Sequence, residues 1–290
     1  MRGKWVWPPL FVDLASIDIL SIPVAVVLSA EFERWKRYKG IALRARRSSR
    51  WNHRVKRLLC DLGTFDLLNI KAPTAEENLG TQLVLLPLAS GEKTNQEAID
   101  KLQNDLHHVG LLLEEKPYLF DGLTEAVVNS IDHAYMPIPD RNLEFPSAGD
   151  RWWATSCYDP ESDSLRFFVF DQGHGIPRTL GAQGDWRAKL KSVMDRLGLA
   201  TTDANMIEAA FEVGRTRTGL DERGKGLDSM HKVIDLAGAG YLRIVSGSGD
   251  VKLFADGRTT KEAYGSHIGG TLVEWNLPKA VFTSVGGEHE

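Results

Sequence analysis

The chain has 290 residues, 42% of them hydrophobic and 26% charged, with a formal net charge of −4. These values indicate a globular chain of one large or two ordinary domains with real cores. No run approaches the roughly 18 consecutive apolar residues of a bilayer-crossing helix, and the two cysteines, Cys60 and Cys157, lie far apart, so a membrane span, a disulfide framework and a zinc site are not expected. The opening MRGKWVWPPLFVDL is broken by Pro8, Pro9 and Asp13 and lacks a signal-peptide cleavage site. The expectation is a cytoplasmic protein with no membrane partner.

The first seventy or so residues alternate strand and helix signals. FVDLASIDILS is rich in β-branched and apolar residues, and IPVAVVLSAEFERWKRYKG has helical spacing and ends at Gly40. IALRARRS alternates with a period of two, and RWNHRVKRLLCDLGTFDLLNI returns to helical spacing, closing near Gly63. The unit is β-α-β-α, a small sheet with helices on it. From Arg34 to Arg57 it carries eleven Lys or Arg and no Asp or Glu. Trp35, Tyr38 and Trp51 interleave with these cations, so the stretch is either a nucleic-acid surface or the solvated faces of two amphipathic helices with aromatics turned inward.

Residues 72–80, APTAEENLG, lose apolar periodicity and mark a linker. We divide the chain there into a regulatory unit, 1–76, and a second domain, 77–290. TQLVLLPL is a strand candidate, NQEAIDKLQNDLHHVGLLLEE a helix, and a second helix runs from about Pro117 through Tyr135. RWWATSCYD and SLRFFVFD, separated by Pro160-Glu161-Ser162-Asp163, predict a hairpin. Residues 178–222 are weak in strand signal and carry scattered glycines. A helix over 226–237 and strands over 240–246, 250–255 and 270–277 complete the order.

Three segments hold residue types whose chemistry converges. In LTEAVVNSIDHAY, Glu125, Asn129, Asp132 and His133 share one stripe of a helix. Such a stripe is either an exposed face or a set of groups turned to a ligand. An Asn oxygen is a hard donor suited to Mg2+, and Glu125, one turn earlier, could orient or deprotonate a water or hydroxyl. In DQGHGIP, Asp171 ends a strand and can accept a hydrogen bond from an amine, while Gly173 and Gly175 suit a sharp turn or a flat group lying near the backbone. In Arg223-Gly224-Lys225-Gly226-Leu227, glycines precede a helix whose first amides could face an anion, with Arg215 and Arg217 upstream. This is neither a P-loop nor a dinucleotide fingerprint.

Taken in order, these segments resemble the GHKL ATPases, the Bergerat-fold group, over roughly residues 81–278. EAVVNSIDHA is similar to that family's N box, DQGHGIP to its first glycine box, RGKGL to its second and GGTLVEWNLP to its terminal strand. The resemblance implies an α+β fold: a Bergerat α/β sandwich, a mixed sheet with helices on one face, with a long mobile ATP lid at 178–222. It implies ATP and Mg2+ as cofactors, with Asn129 as the metal ligand and Glu125 as general base or water-orienting carboxylate. Asp171 would bind the adenine amine with Thr271, and Gly173, Gly175 and Ile176 would line the base. Arg223, Gly224, Lys225, Gly226 and Leu227 would hold the phosphates, with Asp132 and His133 near them.

The N-terminal β-α-β-α unit resembles a STAS domain of the anti-sigma-antagonist type in FVDLASIDILSIPVAVVL and LLCDLGTFDLLNI, with Leu20-Ser21 where that family has Asp-Ser. Ser21 is thus a phosphosite candidate, or simply the N-cap of the helix that follows. The functions to separate are an Mg-ATP-driven conformational switch with ATP hydrolysis, a protein serine kinase acting on a STAS partner, and a nucleic-acid-binding module with ATP as effector. The candidate partners are a nucleotide, a protein met through the N-terminal unit, nucleic acid at 34–57, and a second copy of the chain.

Overall fold

A computed structural model describes residues 10–39, 43–71, 84–85, 88–92, 117–139, 142–143, 149–215 and 225–283. The expected linker, the helix over NQEAIDKLQNDLHHVGLLLEE, Arg217, Arg223 and Gly224 lie outside the described residues.

In the N-terminal unit, β1 (Leu10–Val12) pairs in parallel with β2 (Leu43–Ala45), Leu10 opposite Leu43. A parallel pair needs a crossover, and α1 (Ile22–Lys39) supplies it. Ser21 stands where the helix begins: its carbonyl accepts the Ala25 N–H at 2.9 Å, and Pro23 fits a first turn that needs no N–H. After a 3-10 turn at Ser48–Arg50 comes α2 (His53–Asp61), capped by Asn52, whose side chain accepts the Arg54 N–H at 2.9 Å. Gly63, at φ 75, turns the chain into α3 (Phe65–Leu68).

The rest is built on an eight-stranded sheet. Its strands are β3 (Val84–Leu85), β4 (Ala89–Glu92), β5 (Arg151–Asp159), β6 (Ser164–Asp171), β7 (Tyr241–Ser246), β8 (Gly249–Phe254), β9 (Thr259–Ala263) and β10 (Thr271–Pro278). The order is β3-β5-β6-β10-β7-β8-β9, with β4 also on β5. The predicted hairpin is present as β5–β6, Asp159 opposite Ser164.

The fold is α+β, with one departure from expectation. Every described pairing in the large sheet is antiparallel, so the sheet is not mixed. Short connections explain this for β5–β6 and β7–β8, since a hairpin can only join antiparallel neighbours. The core helices of the second domain lie over one face, as expected, and the N-terminal unit covers the other. Along β6, Leu165, Phe167 and Val169 point to one side, with α4 (Pro117–Asp132), α7 (Asp203–Arg215) and α8 (Lys225–Ala237) packed over them. Phe168 and Phe170 point to the other side and share a core with Ala25, Val26, Leu59 and Leu68 of the N-terminal unit. A sheet apolar on both faces must be covered on both, which is why RWWATSC and SLRFFVFD read as near-continuous apolar runs.

The 178–222 segment is largely helical: α5 (Ile176–Ala182), α6 (Gly184–Leu197) and α7 fill it as far as Arg215. Ala204, Ile207 and Phe211 of α7 belong to the main core, so the stretch around them is part of the scaffold. Trp186, Leu190 and Met194 of α6 pack on Ala209, Ala210 and Val213 of α7 as a satellite core. A final short helix, α9 (Ala280–Thr283), follows β10.

Candidate functional site

Three strand ends meet in the middle of the sheet, at one end of its strands. Asp171 ends β6 and Ser246 ends β7, and both stand opposite Thr271, the first residue of β10. Beside them lie the C-terminal half of α4 and the first turn of α8. Between these elements and α5 and α6 is a cavity of about 410 Å³. Asn129, Asp132, His133, Asp171, Gly175, Ile176, Gly226, Leu227 and Thr271 all line it, which brings together most of the residues singled out in the sequence.

Asp171 is 4% exposed. Its Oδ1 accepts the Gly173 N–H at 2.9 Å, and the Thr271 backbone also donates to the carboxyl. Ser130 Oγ lies 3.3 Å from Oδ2 and 2.9 Å from the Ala126 carbonyl, so one hydroxyl proton is divided between two acceptors. These donors are neutral, and burial prevails over them: the carboxyl is pushed up to about 7. Such a group is short of donors, and an amine entering the cavity would supply one.

On α4, Glu125 and Asn129 are half-buried, with Asn129 Nδ2 3.4 Å from Glu125 Oε1. Desolvation raises the Glu125 pKa, opposed chiefly by the nearby His133. Asp132 ends the helix and His133 follows it, both exposed at the mouth of the cavity. The two helices approach closely at Gly226. A Cβ there would lie 2.2 Å from Glu125 Oε1 and 2.6 Å from Asn129 Nδ2, so glycine lets the first turn of α8 sit against that pair without displacing either side chain. Lys225 is the first residue of α8.

The base-lining role expected of Gly173 does not match its surroundings. A Cβ there would fall 2.2 Å from the Ala134 carbonyl oxygen, and the next residue, His174, donates its N–H to that oxygen at 2.7 Å. Gly173 is small because the end of α4 is pressed against it. Gly175 does line the cavity, at φ 84, where a side chain would be strained.

Sequence reasoning missed three members of the site. Ser246, fully buried, accepts the Ile176 N–H at 2.8 Å and lies 2.9 Å from Thr271 Oγ1, tying the glycine turn to β10. A lone serine closing YLRIVS carries no pattern that would mark it. Ser130 stands next to Asn129 on a helix whose polar stripe drew attention elsewhere. Trp186 of α6 forms part of the far wall with Leu180 and Thr179, within a segment expected to be a lid.

Among the described residues no group of three or more His, Cys, Asp or Glu side chains could hold a metal ion. A cation here would take the Asn129 side-chain oxygen and complete its shell with phosphate oxygens and water, which is how Mg2+ commonly binds. The donor set therefore fits Mg2+ carried in with a phosphate ligand. No family model, curated protein or solved structure matches the chain. Among the described residues no helix is long and apolar enough to cross a membrane.

Proposed function

We propose that the protein binds Mg-ATP in this cavity and works as an ATP-driven regulatory switch with ATP hydrolysis, of the GHKL class and Bergerat fold, with a STAS-like N-terminal unit. One observation carries the reading. Segments around Asn129, Asp171, Gly226 and Thr271, more than a hundred residues apart at the extremes, line one cavity, which supports a nucleotide as its occupant.

Asp171 accepts the exocyclic amine of adenine, with Thr271 beside it, and Ile176, Leu180, Trp186 and Met230 supply apolar cover for the ring. The phosphates lie toward Gly226, where the first amides and positive end of α8 favour anions. Bound Mg2+ would neutralise phosphate charge, with Asn129 as its protein ligand. Glu125, next to Asn129, orients the attacking water, and its raised pKa makes it a better base once it is ionised. On the far side of the Asp171 turn, Gln172 Nε2 reaches Glu31 of α1 at 3.2 Å, a direct connection from the pocket to the N-terminal unit.

Titration calorimetry with ATP and with GTP, each with and without Mg2+, tests this. Binding of ATP but not GTP is expected, because the 6-oxo group of guanine cannot donate to Asp171. Strengthening by Mg2+ should disappear in Asn129→Ala. Equal binding of both nucleotides, or unchanged ATP affinity in Asp171→Asn, would overturn the assignment. A phosphoprotein product in place of free phosphate would move the chemistry to the kinase class.

A further inference from the structure

The basic stretch of the N-terminal unit takes no part in the cavity. Arg34 is buried at 4% exposure on Glu31, Arg37 pairs with Glu33, Arg47 with Asp13 and Arg57 with Asp61. Arg44, Arg46, Arg50, Arg54 and Lys56 form no ion pair among the described residues, and the four arginines are exposed.

The backbone displays them on one compact turn. The Arg46 N–H bonds to Val12 O at 2.8 Å and the Arg50 N–H to Arg47 O at 2.8 Å. Trp51 plugs the turn from within: it is 3% exposed and donates its indole N–H to Arg46 O at 3.0 Å. Asn52 then caps α2, whose positive end carries Arg54.

We propose that this turn is a docking surface for the phosphate backbone of double-stranded nucleic acid. Four features favour that occupant. The cations are concentrated in a chain of net charge −4, so the patch is local and not a by-product of a basic protein. They are mostly arginines, whose planar forks match phosphate oxygens in pairs. None of them forms an ion pair among the described residues, although Arg46 lies within electrostatic reach of Asp13. Two of the three interleaved aromatics are committed elsewhere, Trp51 to the core and Trp35 to Glu31 through its indole N–H at 2.6 Å. Phosphate contacts without stacking suit a duplex and carry no base sequence.

The test is fluorescence anisotropy of the full chain with two unrelated duplexes of about 20 base pairs, the matching single strands, and vesicles containing phosphatidylserine. With about four phosphates neutralised, duplex affinity should fall about 100-fold between roughly 50 and 200 mM salt, equally for both sequences. The double variant Arg50→Glu/Arg54→Glu should lower the slope of log affinity against log salt by about two and weaken binding at least about tenfold at low salt. An acid at position 54 favours the first turn of α2, so that variant should fold. Arg44→Gln/Arg46→Gln, which removes charge without reversing it, should show the same trend. Absence of duplex binding at low salt, tighter binding to single strands, or binding only to vesicles would overturn the proposal. The vesicle arm matters because Phe11, 58% exposed, stands opposite Arg44 in the strand pair.

Discussion

Two buried carboxylates at different places on the sheet show the difference between a group surrounded by cations and one that has only neutral donors. Glu274 of β10 is fully buried, and Arg166 and Arg243 both reach it, Arg166 Nη2 at 2.5 Å and Arg243 Nη1 at 3.3 Å. The Tyr241 hydroxyl donates to it at 2.9 Å, and Arg243 continues to Asp250 at 2.6 Å. Asp171 of β6, almost as buried, has only neutral donors, one of them divided with a carbonyl. A carboxylate in a low-dielectric site is stable when cations and hydrogen bonds surround it. Without them it moves toward protonation, as Asp171 does. The first arrangement holds strands together, and the second suits recognition of a donor from outside.

Removing the group surrounded by cations should have the largest effect. Glu274→Ala leaves two guanidinium groups facing each other with their shared partner gone, and a loss of about 3–5 kcal/mol is expected in urea unfolding. Glu274→Gln, which can keep the bonds that Arg166 and the Tyr241 hydroxyl make to one oxygen but not the one from Arg243 to the other, should cost less. Next is Gly173→Ala, at about 3 kcal/mol, because its methyl would meet the Ala134 backbone and the end of α4 would have to shift. A cost below about 1 kcal/mol in the same measurement would mean that α4 and the glycine turn are not packed as described.

That glycine also shows where the sequence stops being informative. DQGHGIP signals a turn after a strand, but a missing Cβ can make room for a ligand or for the protein itself. Only the position of Ala134 decides between them. The hairpin and the strands near 241–246 and 271–278 were legible, because period-two apolar runs are local signals. Strand β9, TTKEA, was not, since all of it is exposed at the sheet edge and it carries no apolar pattern. The helical nature of 176–215 was obscured by its glycines, although Gly184 and Gly198 lie at helix ends, where glycine is at home. The N-terminal unit reads as β-α-β-α, yet nothing in its own sequence shows that its apolar faces lie against Trp153, Phe168, Phe170 and Leu272. The site was legible as residue types in order. Ser130 and Ser246, which hold its parts in place, have no signature.

Asp171→Asn tests the other half of the contrast, with effects of opposite sign on stability and binding. The folded carboxyl titrates at about 7, against 3.8 for the unfolded reference. Its contribution to stability is therefore full below about pH 4 and is lost as pH rises through 7. At pH 8 the buried charge costs on the order of 4 kcal/mol, part of which the amide gives back by fitting its hydrogen bonds less well. Asp171→Asn should be more stable than wild type by about 2 kcal/mol at pH 8, with the gain vanishing near about pH 5.5 and reversing to a loss of about 2 kcal/mol near pH 4. ATP affinity should meanwhile fall roughly 30-fold or more, the value of a charge-assisted hydrogen bond. Wild-type affinity should rise with pH through 7, as the carboxylate that accepts the amine becomes ionised. A flat calorimetric profile between pH 6 and 8, beside a normal stability curve, would separate base recognition from Asp171.

The smallest change in stability is expected from Gly226→Ala, and it is informative for that reason. Unlike the contact at Gly173, the atoms a methyl would meet are the ends of two side chains, Glu125 Oε1 and Asn129 Nδ2, which can swing aside. Alanine also suits a helix better than glycine by about 1 kcal/mol, which offsets the disturbance, so unfolding should change by less than about 1 kcal/mol. Function should not be spared. Both displaced groups are the ones assigned to the cation and the attacking water. Mg2+-dependent strengthening of ATP binding should drop about tenfold, and phosphate release at least as much, since misplacing a reacting group by an ångström can cost about 100-fold. Binding of ATP without Mg2+ should change little, because Asp171 and the apolar walls are untouched. If the variant lost stability but kept its Mg2+ response, the close approach of α8 to α4 would be packing alone, and the phosphate end of the site would have to lie elsewhere.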